Sequence, residues 1–461
     1  MRGILLIDIG STYTKITAAS VENTCIIGTS NAFTTINTDI REGLSNAIKN
    51  LESKVGKINY TEKYICSSAA GGLKMITIGL VPDLTTEASK KAALCAGAKV
   101  QNVYSYNLNQ NELSEIQAQK PDIILLTGGT DGGNKETILN NAKLLASLDG
   151  SFSIVVAGNK SASDEVANIL SKSTFDVTIC ENVMPELNVL NIEPTRNAIR
   201  NIFLKKIVFA KGLSCIQRDY GEVIMPTPSA VLSATKLLAN GYNTESGLGE
   251  LMVLDVGGAT TDVYSISSGE PQKPGVVLKG FMEPYEKRTV EGDLGVRYSI
   301  DSLVDSVSLP EISLKAGIPE HEALRYIDLL RTCPDILPQK DTLLKKLDFA
   351  LTSYAINKAV SRHAGTIETV YTPFGATYIQ NGKDLTSIKR IIGTGGPIIN
   401  SIYIHEVMKA SLKEVNDLFL LKPEEAEFLV DKKYILASMG LLAQKHPEIA
   451  LRIMKNELEL V

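Results

Sequence analysis

Two stretches of the chain, far apart in sequence, repeat one pattern of apolar and polar positions. Residues 5–16 (LLIDIGSTYTKI) can be laid over residues 252–263 (MVLDVGGATTDV) without a gap. In each copy an apolar run ends in Asp, an apolar residue and Gly, and small hydroxyl-bearing residues lead into a second stretch. A short apolar run suits a strand buried on both faces, and the polar interruption predicts a tight turn into a second strand. The pattern therefore predicts two copies of one β-hairpin.

The residue types in these turns indicate which ligand they suit. Glycine lets the backbone approach a ligand closely, and consecutive N–H groups and hydroxyls can cradle phosphate oxygens. A carboxylate at the strand end, here Asp8 or Asp255, can hold a hydrated Mg²⁺ ion. Two such turns facing each other would bind a polyphosphate from both sides. For either copy alone, an ordinary hairpin turn is the competing explanation.

Three further segments have a related composition. Residues 389–399 (KRIIGTGGPII) predict a strand that runs into a Gly-Gly turn. A helix rich in small residues is predicted at 226–241, directly before the second hairpin, and Gly241 closes it. Another is predicted at 434–443, where Ala437 and Gly440 lie on one face. Small residues on both helices would allow them to pack closely.

Elsewhere the periodicity predicts two kinds of structure. Strands are expected at 3–9, 14–20 and 25–29, a helix at 39–54 with Asp39 as N-cap, and a strand starting at Tyr64. Between 73 and 190 the two kinds alternate, with strands at 75–81, 100–106, 121–126, 152–157 and 176–179 and helices at 86–98, 111–119, 135–148 and 162–171. Such alternation predicts a parallel, doubly wound sheet, which we interpret as a flavodoxin-like insertion. Later helices are predicted at 193–209, 320–331 and 343–363.

The inserted module leaves two questions open. It looks somewhat like cobalamin-binding domains, but residues 79–89 lack the histidine that such domains offer to cobalt, and any flavodoxin-like sheet would look similar. Its glycine-rich loop at 127–134 follows a parallel strand, at the end of the sheet where ligands bind. The loop is either a phosphate or nucleotide site or a flexible connection.

Composition narrows the class of protein. The 461 residues carry 47 basic and 52 acidic side chains, and this net charge of −5, without a basic cluster, argues against nucleic acid as a partner. No apolar run approaches the length of a membrane span, so we expect a cytoplasmic protein that does not bind membranes. The six cysteines form no CxxC pair, which leaves no evident ligands for an iron–sulfur cluster. The four histidines are isolated and are interpreted as surface or structural residues.

The two hairpins and the Gly-Gly turn resemble the phosphate-1, phosphate-2 and adenosine motifs of the actin, Hsp70 and sugar-kinase ATPase superfamily. The resemblance implies an α/β fold with two ribonuclease-H-like (actin/Hsp70-type) halves, an inserted flavodoxin-like parallel sheet module and a helical subdomain. The implied boundaries are 1–72 for the first part of half I, 73–190 for the module, 191–245 for the rest of half I with its connecting helix, and 246–461 for half II. The helical subdomain would occupy about 283–365.

The same resemblance implies that Mg·ATP binds in an interdomain cleft. Asp8 and Asp255 would serve catalysis and hold Mg²⁺ through water. ATP or ADP would be bound by Gly10, Ser11, Thr12, Lys15, Gly257, Gly258, Thr260, Thr261, Gly393, Gly395 and Gly396. Lys358 or Arg362 in the helical subdomain could also reach the nucleotide, although charged helix faces are usually just solvated.

One departure from the superfamily pattern bears on activity. Chaperone-type members carry a Glu just before the Pro-Thr of the first connecting helix, where it helps to place the attacking water, and this chain has Met225 there. Kinases often place a catalytic Asp nearby, and Asp219 is the one close candidate. Nucleotide binding is therefore better supported than rapid hydrolysis, because phosphoryl transfer also needs a positioned nucleophile.

Over most of its length the chain resembles the MutL-type accessory proteins encoded with adenosylcobalamin-dependent glutamate mutase. The segments that carry this likeness are 2–15, the second hairpin, 288–295 (RTVEGDLG) and 392–396. The resemblance implies an ATP-dependent reactivating chaperone whose partners are the subunits of an adenosylcobalamin-dependent mutase. Because the water-positioning Glu is missing, we expect a slow ATPase. The alternatives are a small-molecule kinase of the sugar or acid kinase type and a nucleotide-gated scaffold with little hydrolysis.

Overall fold

The structure is a computed structural model of the chain. It describes residues 2–10, 13–35, 39–68, 74–95, 99–150, 152–208, 220–221, 223–280, 282–338, 341–373 and 375–461. Backbone contacts divide the chain into a first unit, Met1–Val231 with Gly440–Gln444, and a second unit, Leu232–Met439 with Lys445–Val461. In the described part of the chain, no helix is both long and apolar enough to span a membrane.

The first unit contains a mixed sheet built around one buried strand. The strands lie in the order Val223–Pro226, Asn59–Ser67, Arg2–Ile9, Tyr13–Ser20 and Cys25–Phe33. The central strand Arg2–Ile9 pairs antiparallel with Tyr13–Ser20 and parallel with Asn59–Ser67. Helix Ile40–Val55 follows the third strand, and the Asp39 carboxylate caps it by accepting the Arg41 N–H at 2.9 Å, as predicted. The strand predicted to start at Tyr64 begins earlier, at Asn59.

The inserted module in the first unit is a parallel sheet. Its strands lie in the order Lys99–Ser105, Lys74–Gly79, Ile123–Leu126, Ser153–Val156 and Asp176–Ile179, all parallel. Helices Glu87–Cys95, Gln110–Gln119, Glu136–Leu145 and Ser163–Leu170 alternate with these strands. The order, with the second strand outside the first, is that of flavodoxin-like sheets and confirms the predicted class of the insertion.

The module is stabilised by apolar packing of its middle strands and by a contact with the helix that follows it. The middle strands Ile123–Leu126 and Ser153–Val156 are buried along their whole length, which explains their continuous apolar runs. Helix Glu193–Val208 comes after the module, and the Lys206 ammonium donates to the Asp122 carbonyl at 2.7 Å. The first module strand ends at Gly79 rather than at the predicted residue 81, because the π-helical turn Pro82–Thr86 folds back against it.

The second unit repeats the sheet arrangement of the first. Its strands lie in the order Glu286–Glu291, Thr261–Ile266, Leu251–Val256, Arg390–Thr394, Glu427–Val430 and Glu459–Leu460. The central strand Leu251–Val256 again has an antiparallel hairpin partner on one side and a parallel strand on the other. Both sheets thus place the first strand between the second and the fourth, as expected of two ribonuclease-H-like halves. The predicted fold class of the actin-like ATPases is confirmed.

Helices follow the sheet's edge strand in the second unit. They are Ile300–Val307, Leu309–Ala316, Glu320–Thr332 and Thr342–His363. The last two match predicted helices, whereas the first two were not predicted. The helical region begins later than the expected position near 283, because Glu286–Glu291 pairs with Thr261–Ile266 as a strand. The domain boundaries proposed from sequence otherwise stay a prediction.

His363, the last residue of helix Thr342–His363, connects that helix to the sheet. Its Nδ1 is hydrogen-bonded to Thr289 Oγ1 and its Nε2 to Ser265 Oγ, both at 2.8 Å. Burial, and then the charges of Lys287 and Lys383, hold the pKa of His363 well below its ordinary value. The residue is therefore a neutral, structural histidine, in line with its interpretation from sequence.

A small additional sheet in the second unit was not predicted. It consists of Val276–Lys279, Gly375–Asn381 and Thr366–Thr372, in that order. The remaining elements are the two-residue strands Gly241–Tyr242 and Glu245–Ser246 and the helices Gly396–Ile399, Ile404–Lys409, Leu436–Leu442 and Pro447–Glu457.

The helices rich in small residues meet through their backbones. Helix Thr227–Asn240 matches the predicted span, and the second of these helices runs over Leu436–Leu442. A Cβ atom added to Gly440 would lie 1.9 Å from the Ala230 carbonyl oxygen, inside the first unit. Only glycine fits at this position, so close approach explains the residue.

Candidate functional site

The two predicted hairpins share one geometry. In the first, the Gly10 N–H donates to the Tyr13 carbonyl at 3.0 Å, and in the second the Gly257 N–H donates to the Thr260 carbonyl at 2.9 Å. The ladders also correspond, because Asp8 lies opposite Lys15 and Asp255 lies opposite Asp262. At the positions that the structure describes, the repeat seen in the sequence is therefore also a repeat of backbone structure.

The carboxylate of the first hairpin is held by two side chains from other strands and helices. Asp8 is buried, and its Oδ1 accepts the Thr227 hydroxyl at 2.6 Å and the Cys66 thiol at 3.5 Å. Thr227 is the first residue of helix Thr227–Asn240, and Cys66 lies near the end of the strand beside Asp8. Burial, followed by the charge of Asp8, raises the pKa of the Cys66 thiol well above its ordinary value. Sequence inspection assigned neither contact, since both join residues distant in the chain.

The rest of the first turn is only partly described. Ser11 and Thr12, the predicted phosphate ligands, lie outside the described residues. Lys15 is half-buried and faces Asp8 across the ladder. A Cβ atom on Gly10 would lie 2.7 Å from the Tyr13 carbonyl oxygen, so this turn has no room for a side chain there.

A loop covers one side of the second turn. The N–H groups of Arg297 and Tyr298 donate to the Gly258 carbonyl at 2.9 and 2.8 Å, and the Val296 N–H donates to the Gly257 carbonyl at 3.2 Å. This approach requires a glycine in the loop, because a Cβ atom on Gly295 would lie 2.5 Å from the Gly258 carbonyl oxygen. The glycines of the GDLG sequence at 292–295 indicate a loop, but the sequence does not show that this loop contacts the second turn.

The backbone N–H groups of the same turn differ from its carbonyls. Among the described residues, the N–H groups of Gly258, Ala259 and Thr260 have no backbone or side-chain acceptor. Consecutive N–H groups without acceptors form a concave site for an anion, so this turn fits a phosphate group. The carbonyls of Gly257, Gly258 and Ala259 accept hydrogen bonds from residues 296–299, whereas these N–H groups have no acceptor among the described residues.

The two threonine hydroxyls of the turn are engaged within the protein. Thr261 is fully buried and donates to the Leu294 carbonyl at 2.7 Å, while Thr260 donates to Asp262 Oδ2 at 3.1 Å. A hydroxyl has one hydrogen, so in this conformation neither threonine hydroxyl can also donate to a phosphate. The predicted phosphate roles of these two side chains stay a prediction.

Asp262 shapes the second hairpin through a buried ion pair. Its Oδ1 accepts Arg288 Nε at 2.9 Å and lies 2.6 Å from Arg288 Nη2. Both side chains are largely buried, and the charge of Asp262 raises the pKa of Arg288 against the effect of burial. Asp262 is thereby fixed in the strand pair, whereas its arginine partner was not recognised from sequence.

The predicted nucleoside turn lies beside the second hairpin. Strand Arg390–Thr394 runs parallel to Leu251–Val256, with Thr394 opposite Asp255. Gly395 has φ of 96°, and a Cβ atom there would lie 2.1 Å from the Val256 carbonyl oxygen. Because the carboxyl ends of parallel strands meet at one edge of a sheet, the Asp255 carboxylate and the turn at 393–396 lie at the same edge.

Three arginines paired with carboxylates fix the segment between the sheet and the helices. Besides Arg288, Arg297 Nη2 lies 2.6 Å from Asp348 Oδ2, and Arg362 Nη1 lies 2.6 Å from Glu291 and 2.8 Å from Asp293. Burial raises the pKa of Asp348 even though Arg297 is its partner. Arg362, a predicted candidate for nucleotide contact, is thus already bound to two carboxylates.

The carboxylates suit magnesium held through water. No group of three or more His, Cys, Asp or Glu side chains able to hold a metal ion occurs in the described part of the chain. Mg²⁺ usually keeps several waters and is bound through one or two carboxylates plus substrate phosphates. A single carboxylate at each strand end, Asp8 or Asp255, fits that mode of binding.

The glycine loop of the inserted module is held in place by two buried amides. Asn159 Nδ2 donates to the carbonyls of Gly133 and Asn134 at 3.0 and 3.1 Å. Asn182 Nδ2 donates to the Gly129 carbonyl at 3.0 Å and to Asp131 Oδ1 at 2.9 Å. These bonds hold the loop in the described conformation, and both alternatives, a phosphate or nucleotide site and a flexible connection, stay predictions.

Two sequence matches cover nearly the whole chain. The family model described as "MutL protein" matches residues 4–458. A protein described as "Protein MutL" from Clostridium tetanomorphum is 49% identical over 466 residues, covering 99% of this chain and 99% of that protein.

Solved structures are matched at much lower similarity. Plasmodium falciparum glycerol kinase with ADP is 12% identical, with 97% of this chain and 90% of that chain covered and a TM-score of 0.36. The activator of the 2-hydroxyisocaproyl-CoA dehydratase from Clostridium difficile with bound ADPNP is 10% identical, with 100% and 99% covered and a TM-score of 0.31. Because these TM-scores are low, the assignment to a family rests on the two sequence matches.

Proposed function

The chain belongs to the MutL protein family, and on this premise we propose that it is an ATP-dependent reactivating chaperone for an adenosylcobalamin-dependent mutase such as glutamate mutase. It would bind Mg·ATP through the Asp8 and Asp255 hairpins and act on the subunits of the mutase. The observation that carries the proposal is the repeated hairpin, with the same turn hydrogen bond and a carboxylate at the same position in both copies.

The second hairpin supports the nucleotide part of the proposal. Three consecutive N–H groups at 258–260 have no acceptor in the described part of the chain, which suits a phosphate. The glycine turn at 393–396 lies at the same edge of the sheet and suits a nucleoside lying against the backbone. Asp255 and Asp8 would supply the charge that hydrated Mg²⁺ requires.

Besides Asp8 and Asp255, the two hairpins offer no available base for a kinase, and Asp219, the candidate from sequence, lies outside the described residues. A kinase needs a general base directed at the substrate hydroxyl. Apart from Asp8 and Asp255, the hairpin residues 8–15 and 255–262 contain one carboxylate, Asp262. That carboxylate is bound by Arg288 and Thr260, so it is not available as a base.

A chaperone needs less chemistry than a kinase does. It requires only that ATP and ADP favour different conformations, so that a client is bound in one nucleotide state and released in the other. A nucleotide can shift such an equilibrium only by the difference in its affinity for the two conformations. Met225, in place of a water-positioning Glu, is compatible with slow turnover between these states.

Reactivation of an inactivated mutase tests the proposal. The purified chain would be incubated with Mg²⁺ and a mutase carrying damaged cobalamin, with and without ATP, and in parallel with a panel of hydroxylated metabolites. Recovery of mutase activity only with ATP is the expected result. Metabolite-stimulated ADP release without recovery would replace the proposal by the kinase, and nucleotide binding without either effect would leave a nucleotide-gated scaffold.

Calorimetry tests the binding site separately. Asp255→Ala should weaken Mg·ATP binding by about 1–3 kcal/mol, because one charge-assisted interaction with the hydrated cation is lost. Asp301→Ala is the matched control, since this carboxylate is 66% exposed on helix Ile300–Val307 and pairs with Arg331. Equal affinity of wild type and Asp255→Ala would show that the second hairpin is not the Mg·ATP site.

A further inference from the structure

The small sheet of the second unit ends in an open edge. Strand Thr366–Thr372 pairs with Gly375–Asn381 on one side. On its other side, the residues that the structure describes cover only its beginning, where the Ile367 N–H donates to the Phe419 carbonyl at 2.8 Å and Thr366 bridges Leu420. We name residues 368–372 the open edge.

The direction of the main-chain groups follows from that contact. The main-chain N–H and C=O groups of Ile367 point away from strand Gly375–Asn381. In an antiparallel pair, the main-chain groups of successive residues alternate between the two sides of the strand. Thr369 and Tyr371 therefore also present their N–H and C=O groups outward. In the part of the chain that the structure describes, neither N–H group has an acceptor.

The side chains at the open edge are exposed and nearly uncharged. Tyr371 is 85% exposed and Val370 is 38% exposed, while Tyr378 on the neighbouring strand is 45% exposed. Within residues 366–381, Glu368 is the one charged residue. Proteins commonly protect an exposed edge with lysines or other charges, and this one carries no such protection at 369–371.

We propose that the open edge pairs with the open edge of a second copy of this chain, which joins the two small sheets across a twofold axis. Antiparallel pairing with Thr369 opposite the partner's Tyr371 exchanges main-chain bonds at both of these positions. Val370 then lies opposite the partner's Val370, in a pair whose side chains approach closely.

Charge favours a second copy over a different protein at this edge. In a twofold contact the residue on the axis meets its own counterpart, so a charged residue at position 370 would face a like charge. Val370 is apolar, and in this register Glu368 lies opposite position 372 rather than opposite another Glu368. The edge is therefore complementary to itself in both hydrogen bonding and charge.

Light scattering on the full chain tests the pairing. The wild type should have twice the mass of the 49.8 kDa chain. V370K and V370D should each be monomeric, because each places two like charges opposite one another. An equimolar mixture of V370K and V370D should regain the doubled mass, because Lys then lies opposite Asp.

A matched variant controls for surface charge in general. Val277 is 55% exposed on the far strand of the same sheet, so V277K adds the same charge away from the open edge and should keep the doubled mass. A monomeric wild type, a mixture that stays monomeric, or V277K dissociating like V370K would each overturn the proposal. A monomeric wild type whose capture of the mutase is lost in V370K would assign the edge to the client instead. The pairing does not depend on the proposed function.

Discussion

The two hairpins share their turn hydrogen bond and ladder register but balance their carboxylates differently. In the first, Asp8 faces Lys15 across the ladder and is held by the hydroxyl of Thr227. In the second, Asp255 faces another carboxylate, Asp262, whose charge is balanced by Arg288 from the next strand. The repeat has therefore kept the turn and the strand-end carboxylate, while the opposing position has changed sign. A cation from outside the hairpin makes that change tolerable.

Removal of Arg288 should have the largest effect on folding. Arg288→Met leaves Asp262 buried without a compensating charge, which should lower the free energy of unfolding by about 3–5 kcal/mol. The double variant R288M/D262L removes both charges and should recover most of this loss. Urea titration followed by circular dichroism measures both.

Lys15→Met is the corresponding change in the first hairpin. It should cost less than Arg288→Met, because Asp8 keeps the hydroxyl of Thr227 as a donor. If the two losses are equal, the hairpins do not differ in the way described.

Replacing the turn glycines should change the stability of the protein by different amounts in the two hairpins, and this difference should be smaller than that between the charge variants. A Cβ atom at Gly10 would lie 2.7 Å from the Tyr13 carbonyl oxygen, whereas one at Gly257 would lie 3.2 Å from that of Thr260. Gly10→Ala should therefore destabilise the protein by about 1–3 kcal/mol, as overpacking usually does. Gly257→Ala needs only a small shift and should cost less. Thermal unfolding of the two variants side by side measures the difference, and a larger loss for Gly257→Ala would contradict it.

The smallest and most gradual effect should be a loss of stability at alkaline pH, caused by one buried weak acid beside each hairpin. Burial raises the pKa of the Cys66 thiol and of the Tyr264 phenol well above their ordinary values. A raised folded-state pKa contributes stability below the unfolded-state pKa and loses it as pH rises, so stability should fall above about pH 8.5 for the thiol and about pH 10 for the phenol.

Two variants assign these losses. Cys66→Ala should flatten the decline in stability that begins at about pH 8.5, the unfolded-state pKa of a thiol. Tyr264→Phe should flatten only the decline that begins at about pH 10. Unfolding midpoints measured across the alkaline range give both curves. A decline that is unchanged in Cys66→Ala would mean that the thiol is not its source.

The sequence predicted those parts of the fold that local patterns determine. The hairpins were recognisable because strand burial, turn glycine and hydroxyl positions all lie within a dozen residues or so, a span that periodicity can read. Asp176–Ile179 was predicted to the residue, since turn signals bound a short strand in a regular βα alternation. The edge strand Glu286–Glu291 was missed because its charged residues gave no apolar alternation.

Contacts between distant residues account for most of what the sequence did not predict. Arg288 and Asp262 are 26 positions apart, and Thr227 and Asp8 are 219 apart. Nothing in residue type or spacing links such pairs until the strands are placed. The use of the Thr261 hydroxyl by Leu294 was hidden for the same reason, because the covering loop reaches the turn only in the folded unit.

The glycine loop at 127–134 has a consequence for the speed of recognition. Asn159 and Asn182 hold its carbonyls through hydrogen bonds made within the protein. A molecule that met this loop would find the backbone already in one conformation, so no slow ordering step would precede contact and less entropy would be lost on association. Amide hydrogen exchange at Gly132, whose N–H donates to Asn159 Oδ1 at 3.1 Å, would be slow in the isolated chain.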